Sequence, residues 1–400
     1  MTRKIRVVFL VFYFEAWDAL DGVYRRMLTD DRFDPIVITI PRKLTGYDKF
    51  RDEELVSAFL DERDIAHERF HYKKSKEGLA RLRELAPDYV FLNYPWQRNY
   101  KKNYQIEKLV EFTKVCYVPY FSTSLVNEPG VSGVAEHQYT QPTHQLAHLV
   151  FLQDAETKAA FDSVGRGDHA FLTGTPKIDA LMGAREHVTP IWPMPSEPGR
   201  FKLLWGPHHS YAQRWLNFGH FIDEAEPMLA FATEHPELDI VFRPHPFLFG
   251  TLTDREVMTA DQVENWRQRW AALPNTSTDV DTSLPALLLA SDALLTDGIS
   301  FLVEYPLVTG KPAIFWEKPD HWEFSRLGVL AATASVKVEK FTEVEQAISQ
   351  AQTHSLPDRT QEIAALVNEL VPEPRSAADS IVERVAADFA HNFSGSEGSS

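Results

Sequence analysis

Ser291-Asp292-Ala293-Leu294-Leu295-Thr296-Asp297-Gly298-Ile299-Ser300-Phe301-Leu302-Val303-Glu304-Tyr305 is an apolar run that breaks at Asp297-Gly298 and passes at once into a second apolar run. Ala293–Leu295 reads as a strand with no polar face, and Leu302–Val308 as the helix that follows it. A strand buried on both faces and leading straight into a helix belongs to a parallel sheet covered by helices. The same unit recurs upstream. Phe201–Trp205 and Asp239–Phe242 read as strands, with helices over Gln213–Glu234, Arg255–Ala271 and Ser283–Leu289. Downstream, Ala313–Trp316 and Ala332–Val338 read as strands, and Thr342–Ala351, Gln361–Leu370 and Ala377–Phe389 as closing helices.

The first half repeats the pattern. Ile5–Val11 is a strand, and Ala16–Leu28 has helical spacing, with Ala16, Leu20, Val23, Met27 and Leu28 on one face. Further strands are expected at Pro35–Ile40, Tyr89–Asn93, Val115–Val118, Leu149–Gln153 and Ala170–Leu172. Helices are expected at Asp52–Arg63, Lys76–Leu85 and Tyr104–Phe112. Between the halves, Pro190, Pro193, Pro195 and Pro198 crowd a stretch without periodicity, which reads as a linker. The expected fold class is therefore α/β, with two doubly wound Rossmann-like domains facing across a cleft. Residues 1–184 form the first, 185–200 the linker, 201–391 the second and 392–400 a flexible polar tail. A chain of 400 residues is long enough for two such domains.

Charge and cysteine content narrow the classes. The net charge of −16 argues against a general nucleic-acid binder. Residues 1–120 hold 22 Lys+Arg against 19 Asp+Glu, leaving 19 against 38 for the remainder of the chain's 41 and 57. Cys116 is the one cysteine, so no internal disulfide and no cysteine-based zinc cage can form. No apolar run reaches transmembrane length, and the segment from Met1 lacks a signal-peptide core. A cytoplasmic protein is expected, with peripheral association at the inner face of the membrane left open.

Ligands of such sheets bind outside the carboxyl ends of the strands. In the second half those ends carry Arg243-Pro244-His245-Pro246, Gly206-Pro207-His208-His209-Ser210 and Thr296-Asp297-Gly298-Ile299-Ser300. Prolines stiffen the first segment. Arginine offers a fork matched to phosphate oxygens, and histidine a hydrogen bond or a proton. A helix N-terminus adds about half a positive charge. Together these groups suit a pyrophosphate, so a nucleotide-diphosphate donor is the expected partner. His208, His209, Ser210, Arg243, His245, Thr296, Asp297, Gly298, Ser300 and Glu304 are the expected donor-binding residues. Ser300 is read as the helix cap, Glu304 as the ribose partner and Asp297 as an orienting group. Asp279-Val280-Asp281 reads as exposed loop. Adjacent histidines with no acidic partner at metal spacing do not suggest a metal site, and no cofactor is expected.

The first half has no Gly-x-Gly-x-x-Gly after its first strand, which disfavours a dinucleotide enzyme. Glu15, Asp18, Trp96, Arg98, Lys101 and Lys102 lie after strand ends and are the expected acceptor-binding residues. Asp18 equally suits an ordinary first-turn acid. Aromatic faces beside cations fit a sugar, an anionic polymer or a membrane surface.

Residues 170–320 resemble the CDP-glycerol glycerophosphotransferases of teichoic-acid and capsule synthesis. The resemblance lies in Leu172-Thr173-Gly174-Thr175-Pro176-Lys177-Ile178-Asp179, Arg243–Pro246 and Leu295–Tyr305. It implies the GT-B fold, metal-independent chemistry, and a cytidine nucleotide in the C-terminal domain. The implied reaction moves an alditol phosphate, glycerol phosphate foremost, to a hydroxyl of a glycan or lipid-linked glycan. The alternatives are a sugar-nucleotide glycosyltransferase and an epimerase-like relative. Arg243 and His245 would be catalytic. The family's tryptophan-histidine-glycine-threonine-proline segment is absent: the matching region, Tyr117-Val118-Pro119-Tyr120-Phe121-Ser122, has no histidine. His137, with His144 behind it, is the substitute base.

Overall fold

The computed structural model describes residues 3–43, 48–120, 125–131, 134–211, 216–371 and 375–394. The expected tail beyond residue 394 lies outside them, as do Phe121 and Ser122. The chain divides into two compact units. The first comprises Met1–Thr123, Gly133–Ala180 and Leu370–Ser400, and the second Ser124–Ser132 and Leu181–Glu369.

The first unit holds a seven-stranded parallel sheet. Its strands are β1 (Ile5–Val11), β2 (Phe33–Thr39), β3 (His67–Arg69), β4 (Tyr89–Leu92), β5 (Lys114–Tyr117), β6 (Leu149–Leu152) and β7 (Ala170–Leu172), in the order β3-β2-β1-β4-β5-β6-β7. Alternation along β1 sends Val7, Phe9 and Val11 into one core with Leu20, Val23 and Met27, and Val8 and Leu10 into another with Leu82 and Leu109. Each such side chain contributes about 1.5–3 kcal/mol over exposure. Both faces being buried explains why the strands carry no polar stripe.

The second unit holds six parallel strands: β8 (Phe201–Gly206), β9 (Leu238–Phe242), β10 (Thr276–Thr278), β11 (Ala293–Thr296), β12 (Ile314–Trp316) and β13 (Val336–Val338). Their order is β10-β9-β8-β11-β12-β13. The order reverses between β8 and β11, as it does between β1 and β4 in the first unit. Each unit is thus doubly wound and has one topological switch point, where the two loops leaving neighbouring strands diverge.

The structure departs from the sequence reading at several places. Helix Ala377–Ser394 belongs to the first unit, not the second. Ile381, Val382 and Val385 pack into the core of Leu20 and Val23. Asp388 accepts hydrogen bonds from Tyr89 Oη at 2.5 Å and Lys114 Nζ at 2.8 Å, and pairs with His148 Nε2 at 2.8 Å. Helix Pro176–His187 runs into the expected linker, so the irregular stretch begins at residue 188. The short edge strands β3 and β10 were not anticipated, because His67-Glu68-Arg69 and Thr276-Ser277-Thr278 carry no apolar run. The long helix expected from Gln213 starts at Phe221. Ala332–Val338 is the end of helix Arg326–Thr333 followed by β13.

Candidate functional site

The switch point of the second unit is a bonded junction. Thr296 Oγ1 donates to the Gly206 carbonyl at 2.7 Å and accepts from Gly298 N at 2.8 Å. Asp297, fully buried, accepts from His208 N at 2.5 Å and from His220 N at 2.6 Å. One carboxylate thereby fixes both the loop after β8 and the start of helix Phe221–Glu234. Burial pushes the Asp297 carboxyl up, against the pull of the two backbone N–H groups. Burial likewise pushes up its neighbour Glu224, which accepts from Trp205 Nε1 at 2.9 Å. Gly206 is required by packing: a Cβ there would lie 2.5 Å from the Phe301 ring.

A pocket of about 370 Å³ opens at this junction. One part of its lining is polar: His208, Arg243, His245, Gly298, Ser300 and Glu304. The other is apolar, with Val280, Leu284 and Phe301. Arg243 N bonds to the Trp205 carbonyl at 2.8 Å, and His245 N to the Pro207 carbonyl at 3.2 Å, which ties the loop after β9 to β8. The Arg243 guanidinium pairs with Asp279, which also accepts from Thr282 Oγ1 at 2.7 Å.

Of the ten expected donor residues, the structure gathers these six around the pocket. The remaining four lie behind the lining. Ser210 is fully buried; its Oγ accepts from Phe218 N at 2.9 Å and meets His208 Nδ1 at 2.8 Å. His209 stacks on His245 with ring centroids 3.6 Å apart. Thr296 and Asp297 brace the loops. Ser300 is the N-cap residue of helix Phe301–Thr309 but makes no side-chain capping bond. Asp279 corrects the loop reading: it is 6% exposed and holds Arg243. The clue was positional. Phe242 pairs with Thr278 in the sheet, so the residues that follow, Arg243 and Asp279, stand side by side. Asp281 is exposed, as expected.

The three histidines sit in a dry environment. Burial lowers His208 well below the ordinary imidazole range, His209 to about 4 and His245 to about 3. All three are neutral at pH 7. Their ligating atoms lie within 4.8 Å of one another, enough ligands in number for a divalent metal.

In the first unit, the expected acceptor residues are dispersed among local contacts. Glu15 pairs with Arg42 at 2.5 Å, and Asp18, the first residue of its helix, stands 3.8 Å from Lys177. Trp96 stacks on His137 at 6.1 Å, with the Arg98 guanidinium 5.9 Å from its ring centre. Lys101 donates to the Tyr72 carbonyl at 3.3 Å, and burial lowers it, while Lys102 is exposed. His144 is buried and caps its helix by accepting from Gln141 N at 3.2 Å, which removes it as a base. His137 is exposed. At this unit's switch point Tyr13, Tyr94 and Tyr120 gather, with centroids 4.8 to 5.6 Å apart.

No model of a known protein family matches the chain, and no curated protein is similar to it in sequence. Solved structures are similar in fold. The UDP-GlcNAc 2-epimerase of Neisseria meningitidis, bound to UDP-GlcNAc, is 16% identical. The match covers 96% of this chain and 100% of that one, with a TM-score of 0.59. A variant of the wall teichoic acid polymerase TagF soaked with CDPG is 13% identical over 98% of this chain and 90% of that one, at 0.57. The fold is GT-B. A UDP-N-acetylglucosamine 2-epimerase from Rickettsia bellii shares it at 12% identity, over 96% of this chain and 97% of that one, at 0.55. Among the described residues, no helix is long and apolar enough to cross a membrane.

Proposed function

We propose that the chain is a GT-B transferase whose second unit takes a nucleoside-diphosphate-activated donor, CDP-glycerol or a related CDP-alditol foremost. The observation that carries this reading is the pocket at the β8/β11 switch point, polar at one side and apolar at the other. Arg243, the Nε2 groups of His208 and His245, and the helix start at Gly298–Ser300 would meet the pyrophosphate. Glu304 would hold ribose hydroxyls, and Val280, Leu284 and Phe301 would receive the base. The resemblance of Arg243–Pro246 and Leu295–Tyr305 to the glycerophosphotransferases supports the choice of donor, as does the likeness in fold to TagF.

In the proposed reaction the acceptor oxygen attacks the phosphorus next to glycerol. The new O–P bond forms, the bridging P–O bond breaks, CMP leaves, and the acceptor's proton passes to a base. The leaving phosphate's charge is stabilised by Arg243 and by hydrogen bonds from His208 and His245. His137 is the proposed base and a hydroxyl of a cell-surface glycan the proposed acceptor. Trp96, Arg98 and Lys102 are the acceptor contacts this reading keeps.

A second reading is an epimerase acting on a sugar nucleotide. The likeness to a UDP-GlcNAc-bound epimerase along nearly the whole chain favours it. One assay separates the two. Protein incubated with CDP-glycerol and with UDP-GlcNAc is followed by product chromatography. CMP release that depends on a glycan acceptor supports phosphoryl transfer. A nucleoside diphosphate released with glycan as acceptor marks a glycosyltransferase, and acceptor-independent change of the sugar marks an epimerase.

A further inference from the structure

Ser210 stands behind the pocket lining, fully buried, yet its contacts decide what one lining residue can do. Phe218 N donates to Ser210 Oγ at 2.9 Å, and Ser210 N donates to His208 Nδ1 at 3.3 Å. A ring nitrogen that accepts a backbone N–H carries no proton. The 2.8 Å bond between Ser210 Oγ and His208 Nδ1 therefore has the hydroxyl as its donor. The bonds form one relay, from Phe218 N–H through the Ser210 hydroxyl to His208 Nδ1. It leaves the proton of the neutral ring on Nε2. The loop that carries the relay is closed by Gly219 N, which donates to the Ser210 carbonyl at 2.8 Å.

The opposite edge of the His208 ring faces the helix start. Cδ2, which is bonded to Nε2, stands 3.7 Å from the point that a Cβ on Gly298 would occupy. His245 is set the same way: its Nδ1 accepts from Phe247 N at 3.2 Å, and the residue lines the same pocket. Two Nε2–H groups, neither with a lone pair to offer a metal, thus share one lining with Arg243.

We propose that Ser210 is a positioning residue: it locks His208 as an Nε2–H donor to the diphosphate, so that the pocket gives the departing nucleotide hydrogen bonds and no proton. The proposal rests on the nucleotide-donor reading above. Charging His208 would require a second ring proton on Nδ1, aimed at the Ser210 N–H and hydroxyl. The hydroxyl can turn away, but the backbone N–H cannot. The lock costs the reaction nothing. A phosphate monoester has its second ionisation at about pH 6, so the leaving group departs at neutral pH without a proton. The step needs charge stabilisation, and donors fixed in advance supply it without reorganisation.

The surroundings keep the ring neutral. His209 and His245 stand with centroids 4.6 and 5.4 Å from it, and burial lowers all three imidazoles. Asp297 accepts from the His208 backbone and not from its ring. Arg243 and Glu304, one of each sign, complete the charged lining.

The test reads the ring nitrogens directly. Two-bond proton–nitrogen spectra of protein carrying nitrogen-15 histidine are recorded from about pH 5.5 to 8.5, the range in which an ordinary imidazole titrates. His208→Gln and His245→Gln assign the signals. We expect both rings in the Nε2–H tautomer, with no titration across the range. In Ser210→Ala the His208 Nδ1 signal should move toward that of a nitrogen with fewer donors. Titration calorimetry with CDP-glycerol and UDP-GlcNAc gives the affinities. For the diester that binds wild-type protein, Kd should rise at least about tenfold in folded Ser210→Ala. Ser210→Thr, which restores the hydroxyl, should restore both the signal and the affinity. An Nδ1–H tautomer or a charged His208 ring, in protein that binds either diester, would overturn the proposal and leave the donor reading standing. So would wild-type affinity in folded Ser210→Ala, or equal losses from Ser210→Ala in the wild-type and His208→Gln backgrounds. Failure of both diesters to bind at every pH would overturn the donor reading and this inference with it.

Discussion

Asp279→Ala is the most informative single perturbation outside the pocket lining. Asp279 is 6% exposed and its partner Arg243 19% exposed. Removing one member of a fully buried ion pair costs about 3–5 kcal/mol, because the other charge is left uncompensated. Arg243 is partly exposed to the pocket and can hydrate there, so the cost falls below that range, to about 2–3 kcal/mol. Loss of the bonds from Thr282 is included in that figure. At about 2–4 °C per kcal/mol for a unit of this size, Tm should fall by about 5–10 °C. The guanidinium also loses its fixed position, so donor kcat/KM should fall at least about tenfold. Calorimetric unfolding and steady-state kinetics read the two effects. The decisive form is a double-mutant cycle with Arg243→Ala. Once Arg243 is gone, Asp279 is itself the unpaired charge, and replacing it should be neutral or stabilising. Equal destabilisation by Asp279→Ala in both backgrounds would refute the pairing. Asp281→Asn, two residues away and exposed, is the control and should stay within about 0.5 kcal/mol.

Three further outcomes are expected. Arg243→Ala or His245→Ala should lower turnover by about 10²-fold or more in folded protein, as removal of a charge-stabilising donor does; near-wild-type rates would remove them from the mechanism. Gly206→Ala drives a methyl against the Phe301 ring and should destabilise by about 1–3 kcal/mol while distorting the pocket; unchanged Tm and donor affinity would contradict the packing. Asp388 is held down at about 2: burial alone would raise it, but Lys114, Tyr89 and His148 outweigh that. Its folded value lies below its unfolded one, so it adds stability at neutral pH that is lost as pH falls through about 4 to 2. Asp388→Asn should be less stable at pH 7 and show a shallower loss on acidification; parallel acid-denaturation curves would rule out the anchoring role.

How much of this was legible in the residues differs by element. The strands that decide the fold, such as Ile5–Val11 and Ala293–Thr296, are buried on both faces, and burial of that kind leaves a continuous apolar signature. The edge strands β3 and β10 lack it because a sheet edge accepts polar side chains. The helix Ala377–Ser394 was readable as a helix but not as a member of the first unit, since an amphipathic stripe does not name the sheet it covers. In the site, Arg243, His208, His245 and Glu304 were visible because their types and strand-end positions suit phosphate and ribose. Ser210, Thr296 and Asp297 were identified as polar groups in the right loops, yet their side chains bond the junction itself. Only the three-dimensional hydrogen-bond network distinguishes a brace from a lining group. Asp279 was hidden for the converse reason: its partner is 36 residues away in sequence and adjacent only through the β9–β10 register.

The central claim is that an activated diphosphate lodges where β8 and β11 diverge. A crystal structure of the protein soaked with CDP-glycerol tests it most directly. The account predicts density for the pyrophosphate within hydrogen-bonding distance of Arg243, His245 and the Gly298–Ser300 backbone, with the base toward Val280 and Leu284. Ligand bound elsewhere, with this pocket empty, would contradict it.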